Sequence, residues 1–321
     1  MKMDALAVSI IIPNYNGEQI LERSLACVVE AAGAYPGSCE IIVVDDASQD
    51  NSLQLIDKQF PEIKVIRHEI NQGFSEAVHS GVRASNYAIM IFLNSDVLPD
   101  REFISPLVRW FDRQDTFAVS PLILDRERKP LRVSWNLSKI VRGEVRRENW
   151  SLPDALEKAH RERPLKSLFA SGGSVALRKA MFEQLGGFLP IYKPFYYEDR
   201  DLCTRAWQRG WKTFFEPDSR VIHDHVGTIR RFYSAKKIKI IQRRNRLFYL
   251  WLYLSSRKIV FSHVPWIFVR LMTRLVKMDL VYPIALFKAL CGLGKVIRLK
   301  KTNRRKPILM PLEEILKEAQ Y

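Results

Sequence analysis

Cysteine is scarce in this 321-residue chain, and Cys27, Cys39, Cys203 and Cys291 are scattered with no C-x-x-C pair among them. That argues against a disulfide scaffold or a cysteine-based zinc site and fits a reducing compartment. Long uncharged apolar runs are missing too, none approaching the roughly 18 residues of a membrane-crossing helix. The opening MKMDALAVSIIIPNYNG imitates a secretion signal. However, Asp4 interrupts it, and Pro-Asn-Tyr-Asn stands where a cleavage site needs small residues, so it reads as a first strand. Neither a Walker A pattern nor GxGxxG occurs, which excludes a P-loop and a Rossmann dinucleotide site. Acidic residues are lacking in one region only. From Val226 to Tyr321 there are 4 Asp and Glu against 22 Lys and Arg, while the first 225 residues hold 31 against 29. The net charge of +16 therefore belongs to one C-terminal surface and not to the whole fold.

What is present is globular in composition, 47% apolar and 27% charged, and long enough for one large domain or a domain with an appendage. Short apolar runs at VSIII (8–12), EIIVVDD (40–46), IKVIRH (63–68) and YAIMIFL (87–93) read as buried strands. Between them, NGEQILERSLACVVEAA, SQDNSLQLIDKQF and SEAVHSGVRAS carry apolar residues three and four apart, the period of a helix. This alternation predicts an α/β fold, a doubly wound and mostly parallel sheet flanked by helices. Such sheets bind ligands beyond the carboxyl ends of their strands.

Polar residues cluster at those ends. Pro13-Asn14-Tyr15-Asn16 follows the first strand, Asp45-Asp46-Ala47-Ser48 the second, Asn71-Gln72-Gly73-Phe74 the third and Asn94-Ser95-Asp96 the fourth. Each cluster alone is explained by helix capping or turn formation, but the coincidence of four is not. Residues 115–166, with RERK (126–129) and RGEVRRE (142–148), read as an irregular surface excursion, a flap or acceptor loop. Beyond Ser167 the pattern tightens, with a strand at SVAL after Gly172-Gly173 and a helix from Asp201 to Arg209. Glu198 and Asp199 stand at its start. Acidic residues there favour the helix dipole, or else supply a general base with a second acid to tune it. His223 and His225 form an HxH pair whose rings share one face of a strand. Asp96 with His223 makes a partial shell for Mg²⁺ or Mn²⁺, completed by phosphate oxygens and water. The carboxylate–imidazole set leans towards Mn²⁺.

These residues match a known pattern. VSIIIPNYNG (8–17), IIVVDDASQDNS (41–52), NQGFSEAVHSGVRAS (71–85), FLNSDV (92–97), ASGGSVALRKAMFEQLGGF (170–188), YYEDRDLCTRAWQRGW (196–211) and VIHDH (221–225) run in the order of the inverting family 2 glycosyltransferases. The chain resembles that family's GT-A-fold, rhamnosyltransferase-like bacterial members of polysaccharide assembly. The resemblance implies that Asp45 or Asp46 hydrogen-bonds the nucleobase of a UDP-, dTDP- or GDP-linked sugar donor, with Pro13, Tyr15 and Gly73 shaping its pocket. It makes Asn16, Asn94 and Ser95 further parts of the donor site. It also implies Asp96 as the metal-binding aspartate of the DxD element, with His223 completing metal or diphosphate binding. Asp199 becomes the base that deprotonates the acceptor hydroxyl, and Glu198 orients it. The chain departs from the family at Asn94, which replaces the first acid of DxD. It departs again at Val78-His79 and at Leu189-Pro190, where relatives usually carry Asn and Asp-Glu.

The expected organisation is a catalytic domain over 1–225, with a nucleotide-binding half over about 1–100 and an acceptor half over about 101–225. A basic helical extension follows over 226–321. There Arg270, Arg274 and Lys277 fall on one helical face opposite Trp266, Val269, Met272 and Val276, as in a basic amphipathic helix. The alternative is a helix packed on the catalytic domain. The lipid reading would bring the site to a lipid-linked acceptor on an anionic membrane, at the cytoplasmic face of the inner membrane as a peripheral protein. Arg243, Arg244 or Arg246 could contact diphosphate. Nucleic-acid binding is the competing explanation of the charge, but Trp251 and Trp266 lie among aliphatics at helical spacing with no RNP, zinc or homeodomain signature, so no nucleic-acid partner is expected. A sugar-nucleotidyltransferase-like enzyme would need a glycine-rich loop after the first strand, and PNYNG is too poor in glycine. A non-catalytic relative is disfavoured because Asp96, Glu198, Asp199 and His223 are all present.

Overall fold

The computed structural model describes residues 5–224, 232–304 and 309–320. Its centre is a nine-stranded sheet. Four strands, β1 (Val8–Asn14), β2 (Cys39–Asp45), β3 (Lys64–Arg67) and β4 (Ile89–Leu93), lie parallel in the order β3-β2-β1-β4. They are linked by α1 (Glu18–Ala34), α2 (Ser52–Gln59) and α3 (Phe74–Ala84). The strands are apolar throughout because both faces are covered. Ile89, Ile91 and Leu93 point into one core with α1, while Met90 and Phe92 point into the other with Val78 and Phe182. Helix α3 approaches β1 so closely that a Cβ on Gly81 would lie 2.3 Å from Ile11 Cγ2. The sheet is mixed but mostly parallel, as expected.

The second half extends the sheet. After β5 (Val97–Pro99) and α4 (Ile104–Val108) comes β6 (Thr116–Leu124), all nine of whose residues are buried. The reading of 115–166 as surface excursion is thus wrong for its first part. Ser120-Pro121 and the charged flanks hid the strand. Pro121 is tolerated because β10 (Ser174–Arg178) pairs β6 only at Ala118 and Val119, and a register shift in β11 (Lys212–His223) lies opposite Pro121. The remainder does form a separate layer. It comprises a hairpin of β7 (Ser138–Val141) and β8 (Glu144–Arg147), then α5 (Leu152–Arg161), after which β9 (Leu165–Lys166) returns to the central sheet beside Phe214 and Phe215. Strand β10 runs antiparallel between β4 and β6, after which come α6 (Lys179–Leu185) and α7 (Glu198–Trp207), and β11 then pairs parallel with β6.

Beyond residue 231 the chain is helical: α8 (Ala235–Tyr253), α9 (Ser256–Val276), α10 (Val281–Cys291), α11 (Leu293–Arg304) and α12 (Leu312–Glu318). The compositional break near residue 225 is not a break between cores. One buried cluster holds Ile11, Phe92 and Trp207 together with Leu250, Ala289 and Ile315. A polar knot fastens the same junction. Asp201, fully buried, accepts from Tyr192 Oη (3.0 Å), Tyr253 Oη (2.6 Å) and Arg205 Nε (2.7 Å). The Arg205 guanidinium then donates to the carbonyls of Leu185 and Gly187, each at 2.7 Å. The i,i+4 spacing of Asp201 and Arg205 anticipates this pair; its burial comes from Tyr192 and Tyr253, far away in sequence.

Helix α9 is oriented differently from the expected basic face. Arg270 and Arg274 turn inward to Glu144 and Asp279, while Phe261 (77% exposed), Phe268 (63%) and Val276 (85%) face outward. With 21 residues, α9 is long and apolar enough to cross a membrane by length and composition, which the search for uncharged runs missed because two arginines interrupt it.

Removing Asp201 strands a buried guanidinium and two phenols. Asp201→Ala is expected to lower unfolding free energy by roughly 3–5 kcal/mol. Asp57→Ala, which breaks the exposed pair with Arg67, should cost less than about 1 kcal/mol. Urea titration of both variants checks the contrast, and equal losses would contradict it.

Candidate active site

The parallel register sets the carboxyl ends of β1, β2 and β4 side by side. At the first two, loops 14–18 and 45–52 are stitched together. Asp45 accepts from Ser48 N (2.9 Å) and Asn14 Nδ2 (3.0 Å), and Asn16 accepts from Gln49 N through its side chain (2.8 Å). Asp46 accepts from Gln72 N (2.8 Å) and Gly73 N (2.7 Å) and pairs with His68 Nδ1 (2.7 Å). Both acids expected at the nucleobase are therefore buried and already bonded to the pocket wall. Asp46 spends three contacts on holding loop 68–73, whereas Asp45 keeps more of its acceptor capacity. Gly73 begins α3 with φ +86°, a conformation that excludes a side chain, and a Cβ there would meet nothing within 4 Å, so its face is open. Pro13 pairs with Val44 on the rim, and the Tyr15 ring lies 5.4 Å from that of Phe232.

At the end of β4, pairing decides the next contact. Strand β5 runs antiparallel to the tail of β11 with His223 opposite Val97, and Asp224 N donates to Asp96 O (2.9 Å). Asp96 Oδ1 thereby comes 3.2 Å from His223 Nε2. Residues 127 apart in sequence thus meet as a carboxylate–imidazole pair. Among the described residues no set of three His, Cys, Asp or Glu could hold a metal, so a divalent cation at this pair would take its other ligands from substrate and water. His225 lies outside the described residues.

Gly172 and Gly173 form a seam between the two halves of the site. Asn94 N donates to Gly173 O (2.9 Å), and a Cβ on Gly173 would lie 2.7 Å from Asn94 Nδ2. On the far side Gly172 N donates to Asp199 Oδ2 (3.4 Å). Ser95 is buried beside this seam, its hydroxyl near Gly17. Asp199 thus faces Asn94-Ser95-Asp96 across two residues without side chains.

Glu198 and Asp199 are the first two residues of α7, and the chain enters it through Tyr196 and Tyr197, both left-handed at φ +72° and +81°. Such a turn persists only where neighbours hold it. Asn245 of α8 does so, donating its side-chain amide to the carbonyls of Tyr192 (2.7 Å), Phe195 (2.9 Å) and Tyr196 (2.9 Å). No short-range pattern could have found Asn245, because its partners are about fifty residues away.

The two carboxyls differ in support. Desolvation, then the charge of Asp199, pushes Glu198 up to about 8, and its Oε2 is buried without a hydrogen-bond partner. Asp199 is also raised by desolvation, but Arg200 N (2.7 Å) and Gly172 N donate to its carboxylate and the guanidiniums of Arg200 and Arg147 lie nearby. Burial thus raises both carboxyls, Glu198 with an oxygen left unpartnered and Asp199 with backbone donors and two guanidiniums beside it. His79, at a departure from the family pattern, accepts from Phe188 N (3.0 Å), and burial holds its imidazole below the ordinary range, so it props the Gly186-Gly187 turn as a neutral ring.

The sequence pattern described as glycosyl transferase family 2 matches residues 9–186. A hexosyltransferase of low-salt glycan biosynthesis, Agl10 from Haloferax volcanii, is 29% identical over 203 residues, 62% of this chain and 61% of that protein. An inactive polypeptide N-acetylgalactosaminyltransferase-like protein 5 from Macaca fascicularis is 27% identical over 259 residues, 76% of this chain and 57% of its own. The chain spans about half the length of the first curated relatives it matches. Among solved structures, the mannosyltransferase PcManGT from Pyrobaculum calidifontis in complex with GDP-Man and Mn²⁺ superposes with a TM-score of 0.56 at 18% identity. The match covers 98% of this chain and 86% of that one, and it shows a shared GT-A-type fold.

The raised Glu198 has a consequence for stability. The unfolded chain releases this proton near its ordinary value of 4.5 and the folded chain near 8, so rising pH between them favours unfolding. Wild type should lose stability relative to Glu198→Gln across that window, with no further divergence above it. Urea midpoints measured from pH 4 to 9 check this, and parallel curves would refute it.

Proposed function

The chain belongs to glycosyl transferase family 2, and from that membership we propose that it is an inverting, metal-dependent hexosyltransferase. It moves a sugar from a nucleoside-diphosphate donor to a hydroxyl of a lipid-linked glycan acceptor in cell-envelope polysaccharide synthesis. The observation that carries this reading is that Gly173 holds the Asn94-Ser95-Asp96 loop, where Asp96 meets His223, while the adjacent Gly172 holds Asp199. The pair is suited to a diphosphate leaving group and Asp199 to an attacking hydroxyl.

Asp199, ionised and desolvated, takes the proton of the acceptor hydroxyl as its oxygen bonds to the anomeric carbon. Protonated Glu198 keeps the charge on Asp199 by not competing for it. The bond from the anomeric carbon to the diphosphate oxygen breaks on the opposite side, its electron pair leaves with the diphosphate, and the configuration inverts. A divalent cation held by Asp96 and His223, Mn²⁺ or Mg²⁺, would supply neutralisation of the leaving charge. The strand-end loops hold the nucleotide, with Asp45 the better placed of the two acids for the base.

The outward apolar face of α9 supports peripheral association with a membrane, and the Lys and Arg excess beyond residue 225 favours an anionic surface, which we assign to the cytoplasmic side. The same face counts against nucleic acid as the partner of the basic region. So does the pairing of Arg243, Arg246, Arg270 and Arg274 with Asp279 or Glu144.

The test is a panel of UDP-, dTDP- and GDP-sugars with Mn²⁺ or Mg²⁺, read by calorimetric titration and by transfer to lipid-linked acceptors. One donor should bind in a metal-dependent way and lose that binding in Asp96→Ala. Asp199→Asn should bind the donor normally while turnover falls by about 10²–10⁴-fold. No binding to any donor by folded protein would overturn the reading.

A further inference from the structure

The β7–β8 hairpin, α7, α8 and α9 border an open pocket of about 340 Å³, lined by Arg146, Arg147, Arg200, Arg246 and Arg270 with Glu144 as the single acid. Glu144 is buried and already shared, bonded to Arg246 (3.2 Å) and to Arg270. Arg146, Arg147 and Arg200 form no ion pair among the described residues. The face of Phe169 holds two of them, the Arg200 guanidinium 4.5 Å and that of Arg147 5.9 Å from its ring centroid. Arg246 Nε is buried with no hydrogen-bond partner. Even with Asp199 near Arg147 and Arg200, five guanidiniums face two carboxylates and a buried Arg246 donor is left unsatisfied, so the site keeps an excess of positive charge that an anion would complete.

Its position says which anion. Tyr197 and Arg200, both in the lining, bracket Glu198 and Asp199 in sequence. On the other side Arg270 comes from α9, whose opposite face is apolar and exposed at Phe261 and Phe268. The donor's diphosphate has a separate place at Asp96 and His223, at the ends of β4 and β11. A single molecule that used base, arginines and apolar helix together would carry a sugar hydroxyl, a phosphate and a long hydrocarbon chain in that order.

We propose that this arginine cavity binds the phosphate or diphosphate through which the acceptor sugar is joined to its lipid. The proposal rests on the reading of Asp199 as base and of the acceptor as lipid-linked. Arg147 and Arg200 grip the anion beside the base, and Arg246 and Arg270 close it from the helical side. The apolar face of α9 keeps the lipid tail in the bilayer.

The experiment titrates inorganic pyrophosphate and farnesyl diphosphate into full-length protein in EDTA, which silences any metal-held diphosphate at Asp96. Wild type should bind both, farnesyl diphosphate more tightly. Arg147→Ala should weaken both by about tenfold or more and Arg147→Lys by less. Because Arg147 lies at the open edge of the cavity, an unchanged melting temperature checks that the variant folds, and Arg146→Ala serves as a second variant. Sugar-nucleotide binding with Mn²⁺ should be unchanged in Arg147→Ala, and this arm fails independently if the proposed function is wrong. No pyrophosphate binding by wild type, or equal affinity in the variants, would overturn the proposal. So would loss of nucleotide binding in Arg147→Ala, which would assign the cavity to the donor. Weakened binding to phosphatidylglycerol vesicles with pyrophosphate affinity unchanged would make it a headgroup surface and overturn it equally.

Discussion

The buried carboxylate of Asp201 is the constraint on which the site depends. A carboxyl with no exposure is tolerable only when donors surround it, and Tyr192, Tyr253 and Arg205 do so from three segments. Each bond aligns something. Tyr192 fixes the loop that leads to Glu198, Arg205 ties α7 to the Leu185–Gly187 turn, and Tyr253 ties α7 to α8. Thr204 and Tyr249 add a further hydroxyl contact of 2.8 Å between the same two helices. The helix bearing the proposed base is therefore clamped from its middle and cannot shift without breaking the knot. Its N-terminus is then free to hold a strained turn and a partly unsatisfied acid, features that a loosely packed helix would relax away.

Around that helix, close approach does the remaining work. Two strand ends supply Asn94-Ser95-Asp96 and His223, and two glycines let Asp199 come to the same edge. Gly173 has no room for a side chain beside Asn94. Backbone N–H groups reach both carboxyls, but one oxygen of Glu198 is buried without a partner, whereas the guanidiniums of Arg200 and Arg147 lie near Asp199.

The C-terminal helices are part of the active-site architecture. Asn245 holds the entry turn of α7, Arg246 and Arg270 reach Glu144 on the hairpin, and Ile315 packs into the main core. Of the positive charge concentrated there, Arg246 and Arg270 turn to the pocket near Asp199, and the helix that carries Arg270 shows its apolar residues outward. This inversion of the usual order, charge within and hydrocarbon without, distinguishes α9 from a helix that merely covers a soluble core.

Much was legible in the sequence. The buried parallel strands are written as continuous apolar runs, and the strand-end clusters at Asn14, Asp45, Gly73 and Asp96 follow from those runs because ligand sites lie where parallel strands stop. Glu198 and Asp199 were visible as a helix start, and Asp201–Arg205 as a spacing of four. What periodicity could not reach was long range or broken by a local exception. Strand β6 was hidden by Ser120-Pro121, and the outward apolar face of α9 by two arginines that find Glu144 and Asp279. The 3.2 Å approach of Asp96 to His223, the grip of Asn245 on the turn at Tyr196 and the gathering of five arginines around Glu144 needed the tertiary structure. Local composition determined which segments would be strands and helices and where polar groups would emerge. Only the closing of the chain decided which of those groups would meet, lose their solvent or be left without a partner, because those outcomes depend on residues distant in sequence.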